Sequence, residues 1–153
     1  MNNIKNIVAA VVFCSIFIQS CEKEYSSIFD PAQNVPPVVK NVQAPDTLIV
    51  PLADTLKISL SVDASDADGV NELTSVYFNT FRPDGSPSSS NPFQMFDDGN
   101  IVANGDLVKG DGTYSRIIIL PPGTTKGKYR FDFQAIDKSN ELSNVISHFM
   151  VLK

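Results

Sequence analysis

Apolar and polar residues alternate along most of the chain beyond residue 37, with the period of two that is typical of strands with one buried face. The alternation is strict in residues 56–62 and 129–135, and in the second run it places three aromatic residues and Ala135 on one side. Turn signals rich in Gly, Pro, Asn and Asp interrupt it roughly every 8 to 12 residues. The pattern predicts short strands in residues 38–42, 48–50, 56–62, 73–81, 92–96, 114–120, 129–135 and 145–152.

The periodicity of an amphipathic helix does not occur over any useful length in this part of the sequence. The ten prolines and eight glycines are scattered through the chain, and both residue types disfavour long helices. About seven or eight short strands separated by frequent turns are typical of a β-sandwich of the immunoglobulin type. A closed β-barrel gives the same pattern, so the alternation alone leaves both all-β architectures open.

The first 21 residues have the composition of a targeting segment. Lys5 precedes an apolar run, residues 7–18, which is shorter than the about 20 residues that a membrane-spanning helix needs. The run leads into Ile-Gln-Ser-Cys at positions 18–21, which resembles the lipobox of bacterial lipoproteins. The resemblance implies that residues 1–20 are a signal peptide and that Cys21 becomes the lipid-modified N-terminus. The alternative is cleavage elsewhere, with Cys21 free or in a disulfide.

Lipid modification at Cys21 has consequences for location and domain organisation. Several acyl chains on one cysteine hold a protein at a membrane almost permanently, because each buried CH₂ contributes about 0.8 kcal/mol. Residues 21–37 then form a lipidated cysteine with a polar, flexible tether, and residues 38–153 form the folded domain. The resemblance therefore implies a protein of the bacterial cell envelope, anchored at the outer membrane on either its periplasmic or its outer face.

Composition excludes several classes of function. The formal net charge is -5, and 13 of the 17 acidic residues are Asp. A nucleic-acid partner is therefore not expected, because such a partner requires a basic face. One histidine and two cysteines are too few for a zinc site. The histidine, His148, follows Ser147 on a predicted strand, where neighbouring side chains point to opposite faces, so no catalytic residue is predicted.

Three motifs in residues 38–153 together resemble the immunoglobulin-like and fibronectin-III-like modules of secreted bacterial proteins. Residues 127–137 look like strand F of those modules, residues 62–69 like the end of strand B, and residues 97–114 like the Asp/Gly loop before strand E. The resemblance implies an immunoglobulin-like β-sandwich in which Tyr129 forms the tyrosine corner of strand F. The Cys…Trp…Cys pattern of antibody domains is absent from the sequence.

Most of the aspartates lie in three loops that such a sandwich brings to one end. The acidic residues of these loops are Asp63, Asp66, Asp68, Asp97, Asp98, Asp106, Asp111, Asp137 and Glu141. Repulsion among them favours a neutralising cation, and Ca²⁺ binds oxygen ligands that loops supply readily. We predict a Ca²⁺ site whose ligands are Asp66, Asp68, Asp111 and Asp137. The alternative is that these residues only cap turns and that the protein needs no cofactor.

Two functions fit this architecture, and neither is enzymatic. The first is a binding or adhesion module that presents the loops of one pole to a protein or glycan ligand. The second is a structural accessory subunit that scaffolds an envelope complex, and a small hydrolase-associated module is a third alternative. An exposed apolar patch at the loops favours ligand binding. A long exposed edge strand favours assembly by strand addition.

Overall fold

Alternating apolar residues and turn-forming loops produce eight strands in the computed structural model, which describes residues 33–69 and 71–153. The strands are β1 (Val38–Gln43), β2 (Thr47–Leu48), β3 (Leu56–Ser65), β4 (Leu73–Phe81), β5 (Phe93–Gln94), β6 (Thr113–Leu120), β7 (Gly127–Asp137) and β8 (Ile146–Leu152). No helix with the length and apolar character needed to cross a bilayer occurs among the described residues. The signal peptide, Cys21 and most of the tether lie outside the described residues, so those expectations remain predictions.

The strands form two separate sheets. One has the order β1-β3-β6 and the other the order β2-β8-β7-β4-β5. All pairings are antiparallel except that of β2 with β8. In immunoglobulin nomenclature these are the A-B-E and A′-G-F-C-C′ sheets, with each strand paired as that fold requires. The chain is therefore an all-β immunoglobulin-like sandwich, as the sequence predicts. The closed barrel is excluded because β1 and β2, the edge strands on the other side of the two sheets, are not paired with each other in the described part of the chain.

The core lies between the sheets and is built from every second residue of the long strands. Phe78 of β4 is at its centre, with its ring centroid 5.1 Å from that of Phe93 and 5.4 Å from that of Phe133. The inward positions predicted for β7 are confirmed, because Phe131, Phe133 and Ala135 are all buried and Tyr129 packs against them. Aromatic burial of this kind supplies most of the stability of a small sandwich.

Tyr129 also confirms the predicted tyrosine corner. Its hydroxyl donates a hydrogen bond of 2.9 Å to the carbonyl oxygen of Thr125, four residues upstream in the turn that precedes β7. This bond fixes the connection that carries the chain from one sheet to the other.

Some strand boundaries differ from those predicted. Strand β3 continues to Ser65, because Ser65 pairs with Val38 of β1. Strand β5 contains only Phe93 and Gln94, since Pro92 has no N–H to donate to a ladder. Because β5 is so short, most of β6, the edge strand of the other sheet on the same side, has no strand beside it on its outer edge among the described residues.

The strand directions define two poles. Thr113 lies opposite Asp63 at one end of the β3–β6 pair, and Leu120 lies opposite Leu56 at the other end. We call the first end the acidic pole. It holds the β3–β4 loop (66–72), the β5–β6 loop (95–112), the β7–β8 loop (138–145) and the start of β1. The predicted convergence of the Asp-bearing loops follows directly from this topology.

Candidate functional site

The long β5–β6 loop is held in shape by its own aspartates. Asp97 accepts hydrogen bonds from the backbone N–H groups of Gly110 and Gly112, the second at 3.0 Å. Asp106 accepts one from the N–H of Gly99 at 2.5 Å. The two caps tie the beginning of the loop to its end, which gives an otherwise irregular segment a defined conformation.

The loop folds back over the outer face of the sheet β1-β3-β6. Gly105 has a φ of +80°, and a Cβ built there would lie 2.3 Å from Ser59 Oγ and 3.3 Å from Ile117 Cγ1. Only glycine permits both this left-handed conformation and this close approach. The position of the loop is therefore fixed by contact with β3 and β6 as well as by its own caps.

Three carboxylates of the loop converge. Asp97, Asp106 and Asp111 each present an oxygen that lies within 4.8 Å of the other two. Asp106 is 1% exposed, so its carboxylate is surrounded by protein. Burial, together with the negative charge of Asp97, raises the pKa of the adjacent Tyr114. These three residues have the geometry to hold a hard cation such as Ca²⁺, which binds oxygen ligands.

The structure separates the four predicted Ca²⁺ ligands. Asp111 belongs to the group just described, and Asp66 lines the same cleft of about 490 Å³ as Asp111. Asp68 instead accepts a hydrogen bond of 2.7 Å from the backbone N–H of Val35. Asp137 is buried and accepts a bond of 2.7 Å from the side-chain amide of Asn34. Among the described residues, none of Asp66, Asp68 and Asp137 belongs to a group of three converging carboxylates.

Asp137 binds the segment that leads into the domain. In addition to Asn34, the backbone N–H of Glu141 donates to it at 2.8 Å. The hydrogen bond from the Asn34 side chain is the main reason that the pKa of Asp137 lies below its ordinary value. Asp137 is thus a structural carboxylate that joins the start of the described chain to the end of β7.

Exposed aliphatic side chains on the β5–β6 loop form a feature that the sequence reasoning missed. Val102 is 84% exposed and Leu107 is 75% exposed, while Ile101 and Val108 are each 56% exposed. We call these four residues the aliphatic loop patch. The signal was present in the sequence as Ile-Val and Leu-Val pairs within an Asp, Asn and Gly-rich segment.

The histidine belongs to neither the converging carboxylate group nor the aliphatic loop patch. His148 Nε2 is 3.2 Å from the carbonyl oxygen of Pro45, and the hydroxyl of Ser147 donates to Asp132 at 2.7 Å. The two neighbours on β8 pair with different residues of β7, which agrees with the expectation that they face opposite sides. Their arrangement offers no Ser-His hydrogen bond.

Comparison with known proteins finds solved structures of low sequence identity. The fibronectin(III)-like modules of CbhA from Clostridium thermocellum are similar over 78% of this chain and 47% of theirs, with 20% identity and a TM-score of 0.46. The PKD domain of a peptidase from a Thermoplasmatales archaeon is similar over 78% of this chain and 98% of its own, with 16% identity and a TM-score of 0.45. A variant of the SrpA adhesin from Streptococcus sanguinis has 12% identity and a TM-score of 0.43, over 79% of this chain and 59% of its own.

No protein-family model matches the chain. No curated protein matches it either. At these identities and TM-scores, the solved structures carry no argument about function. The assignment to the immunoglobulin-like class rests on the strand order and pairing of the chain itself.

Proposed function

We propose that this chain is a lipid-anchored module of the bacterial cell envelope that binds a ligand through the β5–β6 loop. The observation that carries the proposal is the aliphatic loop patch. Four aliphatic side chains lie largely in solvent on a loop whose conformation is fixed by Asp97 and Asp106. Grouped apolar side chains on an ordered surface segment mark interaction sites more often than scattered ones do.

The chemistry of the patch favours a protein ligand over a glycan. Its members, Ile101, Val102, Leu107 and Val108, are aliphatic and carry no side-chain hydrogen-bonding group. A glycan surface is rich in hydroxyl groups and would leave such groups unpaired against these side chains. A protein partner with an apolar surface pays no such penalty, and we therefore propose a protein component of the same envelope as the ligand.

The place where the described chain begins supports a partner at the same membrane. Asn34 and Val35 are bonded to Asp137 and Asp68 at the acidic pole, which is also the pole from which the β5–β6 loop emerges. With a lipid on Cys21, twelve residues lie between the anchor and Asn34. The thirteen residue-to-residue steps from Cys21 to Asn34 reach at most roughly 43 Å at about 3.3 Å per step. A partner that lies within this distance of the membrane is another membrane-attached or envelope protein.

Affinity capture tests the proposal. The lipidated full chain is expressed in its bacterial host, cross-linked in intact cells, solubilised and purified beside the Val102→Ser/Leu107→Ser double variant. The matched control is Ile49→Ser/Leu52→Ser, because Ile49 and Leu52 are equally exposed aliphatic residues that lie between β2 and β3, away from the loop. We expect one specific partner to be lost from the loop variant and retained in the control. Equal recovery with both variants would refute the role of the patch.

A structural accessory function is the second candidate, and a separate observation supports it. Strand β6 is an edge strand, and among the described residues its outer side is paired only by the bridge between Ser115 and Phe96. Since alternate residues of a strand share an edge, the backbone groups of Ile117 and Ile119 also point outward. Ile119→Pro removes one outward N–H without affecting the pairing with β3. Loss of a partner in this variant alone would favour scaffolding by strand addition.

Calcium binding remains part of the proposal, on residues that differ in part from those predicted. Asp97, Asp106 and Asp111 supply three oxygens within 4.8 Å of one another, and Asp106 is nearly inaccessible to solvent. A Ca²⁺ ion there would neutralise the loop carboxylates and strengthen the caps that hold the aliphatic loop patch in place.

A further inference from the structure

A second apolar feature lies on the side of the sandwich, away from the β5–β6 loop. A cleft of about 350 Å³ opens between the two sheets along β6. The residues that line its interior include Phe78, Phe131, Leu120, Met150 and Leu152, all of which belong to the hydrophobic core. Its volume and apolar lining are those of a small-molecule site, which typically occupies about 300–1,000 Å³.

The cleft is open because neither sheet continues past this side. Strand β6 is the edge of one sheet and the two-residue β5 is the edge of the other. Within residues 33–69 and 71–153, Phe96 pairs with Ser115 on the outer edge of β6, and no strand pairs with that edge between this bridge and Leu120. The cleft therefore runs along the lower half of β6, where Ile118 and Tyr129 are partly exposed, and the core residues at its base are at most 8% exposed.

One charged residue, Arg116, lines the cleft. It shares the inward register of β6 with Ile118 and Leu120, a position that a sandwich normally fills with an apolar side chain. The side chain turns toward the opening, where Nη1 donates to the carbonyl oxygen of Gln94 at 2.7 Å and the guanidinium carbon lies 5.6 Å from the centre of the Phe93 ring. Arg116 thus marks the mouth of the cleft.

The guanidinium group retains donors that this contact does not use. Arginine carries five N–H donors, and among the described residues no carboxylate forms a salt bridge with Arg116. No acidic residue lines the cleft, although the whole chain carries a formal net charge of -5. The cleft therefore combines an apolar interior with a positive charge at its mouth, in a protein that is otherwise acidic.

We propose that this cleft binds an aliphatic chain that ends in a carboxylate, that is, a free medium-chain fatty acid. The hydrocarbon chain lies along the apolar lining of the cleft, against Ile118 and Tyr129, and the carboxylate accepts charge-assisted hydrogen bonds from Arg116. The planar guanidinium group matches a carboxylate better than it matches an alcohol, and it repels a cationic head group. The site is separate from the aliphatic loop patch and does not depend on the function proposed for that patch.

The test compares three amphiphiles that share one chain and differ in the head group. Full-length protein carrying Cys21→Ser, purified without detergent, is titrated calorimetrically with decanoate, 1-decanol and decyltrimethylammonium at pH 8. We expect saturable binding in the order decanoate, decanol, decyltrimethylammonium. Absence of saturable decanoate binding, or equal affinity for decanoate and decyltrimethylammonium, would overturn the proposal without any cleft variant.

Substitutions then locate the site. Arg116→Gln should weaken decanoate binding about tenfold or more and leave decanol binding unchanged, because it removes a charged hydrogen bond but not the apolar cleft. Arg116→Lys should retain part of the preference for decanoate. The matched control is Arg130→Gln, since Arg130 lies on Asp132 and Phe81 and does not line the cleft.

Two further variants separate this site from the alternatives. Ile118→Phe narrows the cleft and should abolish binding of both decanoate and decanol, while circular dichroism verifies that the sandwich is folded. The Val102→Ser/Leu107→Ser variant should bind decanoate as the parent protein does, even if it loses its protein partner. If an apolar peptide protects the edge amides of β6 from hydrogen exchange and decanoate does not compete with it, a β-strand is the occupant and the proposal is wrong.

Discussion

The side-chain amide of Asn34 donates a hydrogen bond of 2.7 Å to Asp137, a residue 103 positions further along the chain. This contact attaches the first described residues to the end of β7 and is the main cause of the lowered pKa of Asp137. The contact therefore attaches the segment that precedes β1 to the acidic pole.

The contact predicts a pH-dependent contribution to stability. The pKa of Asp137 is lowered from its ordinary value of 3.8, so the stabilisation is fully present above that value and is lost as the pH falls through the lower, folded-state pKa. Asn34→Ala should therefore destabilise the protein in urea at pH 7, and the difference should shrink as the pH falls below 3.8. A difference that stays constant across this range would contradict the assignment.

The aromatic core predicts a large difference between two phenylalanines. Phe78→Ala should lower the free energy of unfolding by about 3–5 kcal/mol, because it opens a cavity at the centre of the stacked rings. Phe149→Ala is the matched control, since Phe149 is half exposed on β8 and its loss should cost no more than about 1 kcal/mol. Denaturant unfolding of both variants measures the difference, and similar losses would count against the described packing.

Substitutions at Gly105 and Gly85 distinguish the effect of backbone strain from that of a steric clash. Both have positive φ, +80° and +83°, but a Cβ at Gly105 would meet Ser59 Oγ at 2.3 Å, whereas a Cβ at Gly85 would meet nothing within 4 Å. Gly85→Ala should cost about 1 kcal/mol from backbone strain alone, and Gly105→Ala should cost clearly more. Equal losses in thermal or urea unfolding would mean that the β5–β6 loop does not lie on β3.

Calcium should stabilise the protein through the converging carboxylates. We expect EDTA to lower the melting temperature and added Ca²⁺ to restore it. The free energy of unfolding should rise by about 1.4 kcal/mol for each tenfold excess of Ca²⁺ over the dissociation constant. Asp106→Asn should remove the response, while Asp84→Asn, in the exposed β4–β5 loop, should keep it. A wild-type melting temperature that is unchanged across millimolar Ca²⁺ would exclude the site.

Lipid attachment at Cys21 predicts a partition experiment. The wild-type protein should incorporate labelled palmitate in its bacterial host and enter the detergent phase on Triton X-114 separation. Cys21→Ser should lose the label and remain in the aqueous phase. Cys14→Ser serves as the control, because Cys14 lies within the predicted signal peptide and its substitution should leave lipidation intact. Labelled Cys21→Ser protein would show that another residue carries the lipid.

Strand alternation is the part of the structure that local sequence predicts well. The inward face of β7 and the tyrosine corner at Tyr129 follow from side chains only a few residues apart, so the pattern carries the information. The aliphatic loop patch was missed for the opposite reason. The β5–β6 loop that carries Leu107 approaches Ser59 at Gly105, and a pattern of alternation cannot show a contact between residues so distant in the sequence.

The candidate cation site shows the same division. Asp111 was among the predicted ligands, but the carboxylates that converge with it are Asp97 and Asp106. The sequence showed that both lie in the same loop as Asp111 but gave no reason to choose them as ligands. Asp68 and Asp137 are instead occupied by Val35 and Asn34. Composition could show that carboxylates are abundant in the loops, but not which of them lie close to one another.

The sequence by itself therefore determined the all-β class and the inward positions of the long strands, because period-two alternation is encoded locally. The sandwich and the pole to which the acidic loops converge followed from the resemblance to immunoglobulin-like modules. Only the tertiary structure decided which carboxylates meet, where the β5–β6 loop lies and that an apolar cleft lies beside Arg116. Each of these depends on contacts between segments that are far apart in the chain. Their geometry arises from the packing of the two sheets and from the shortness of β5.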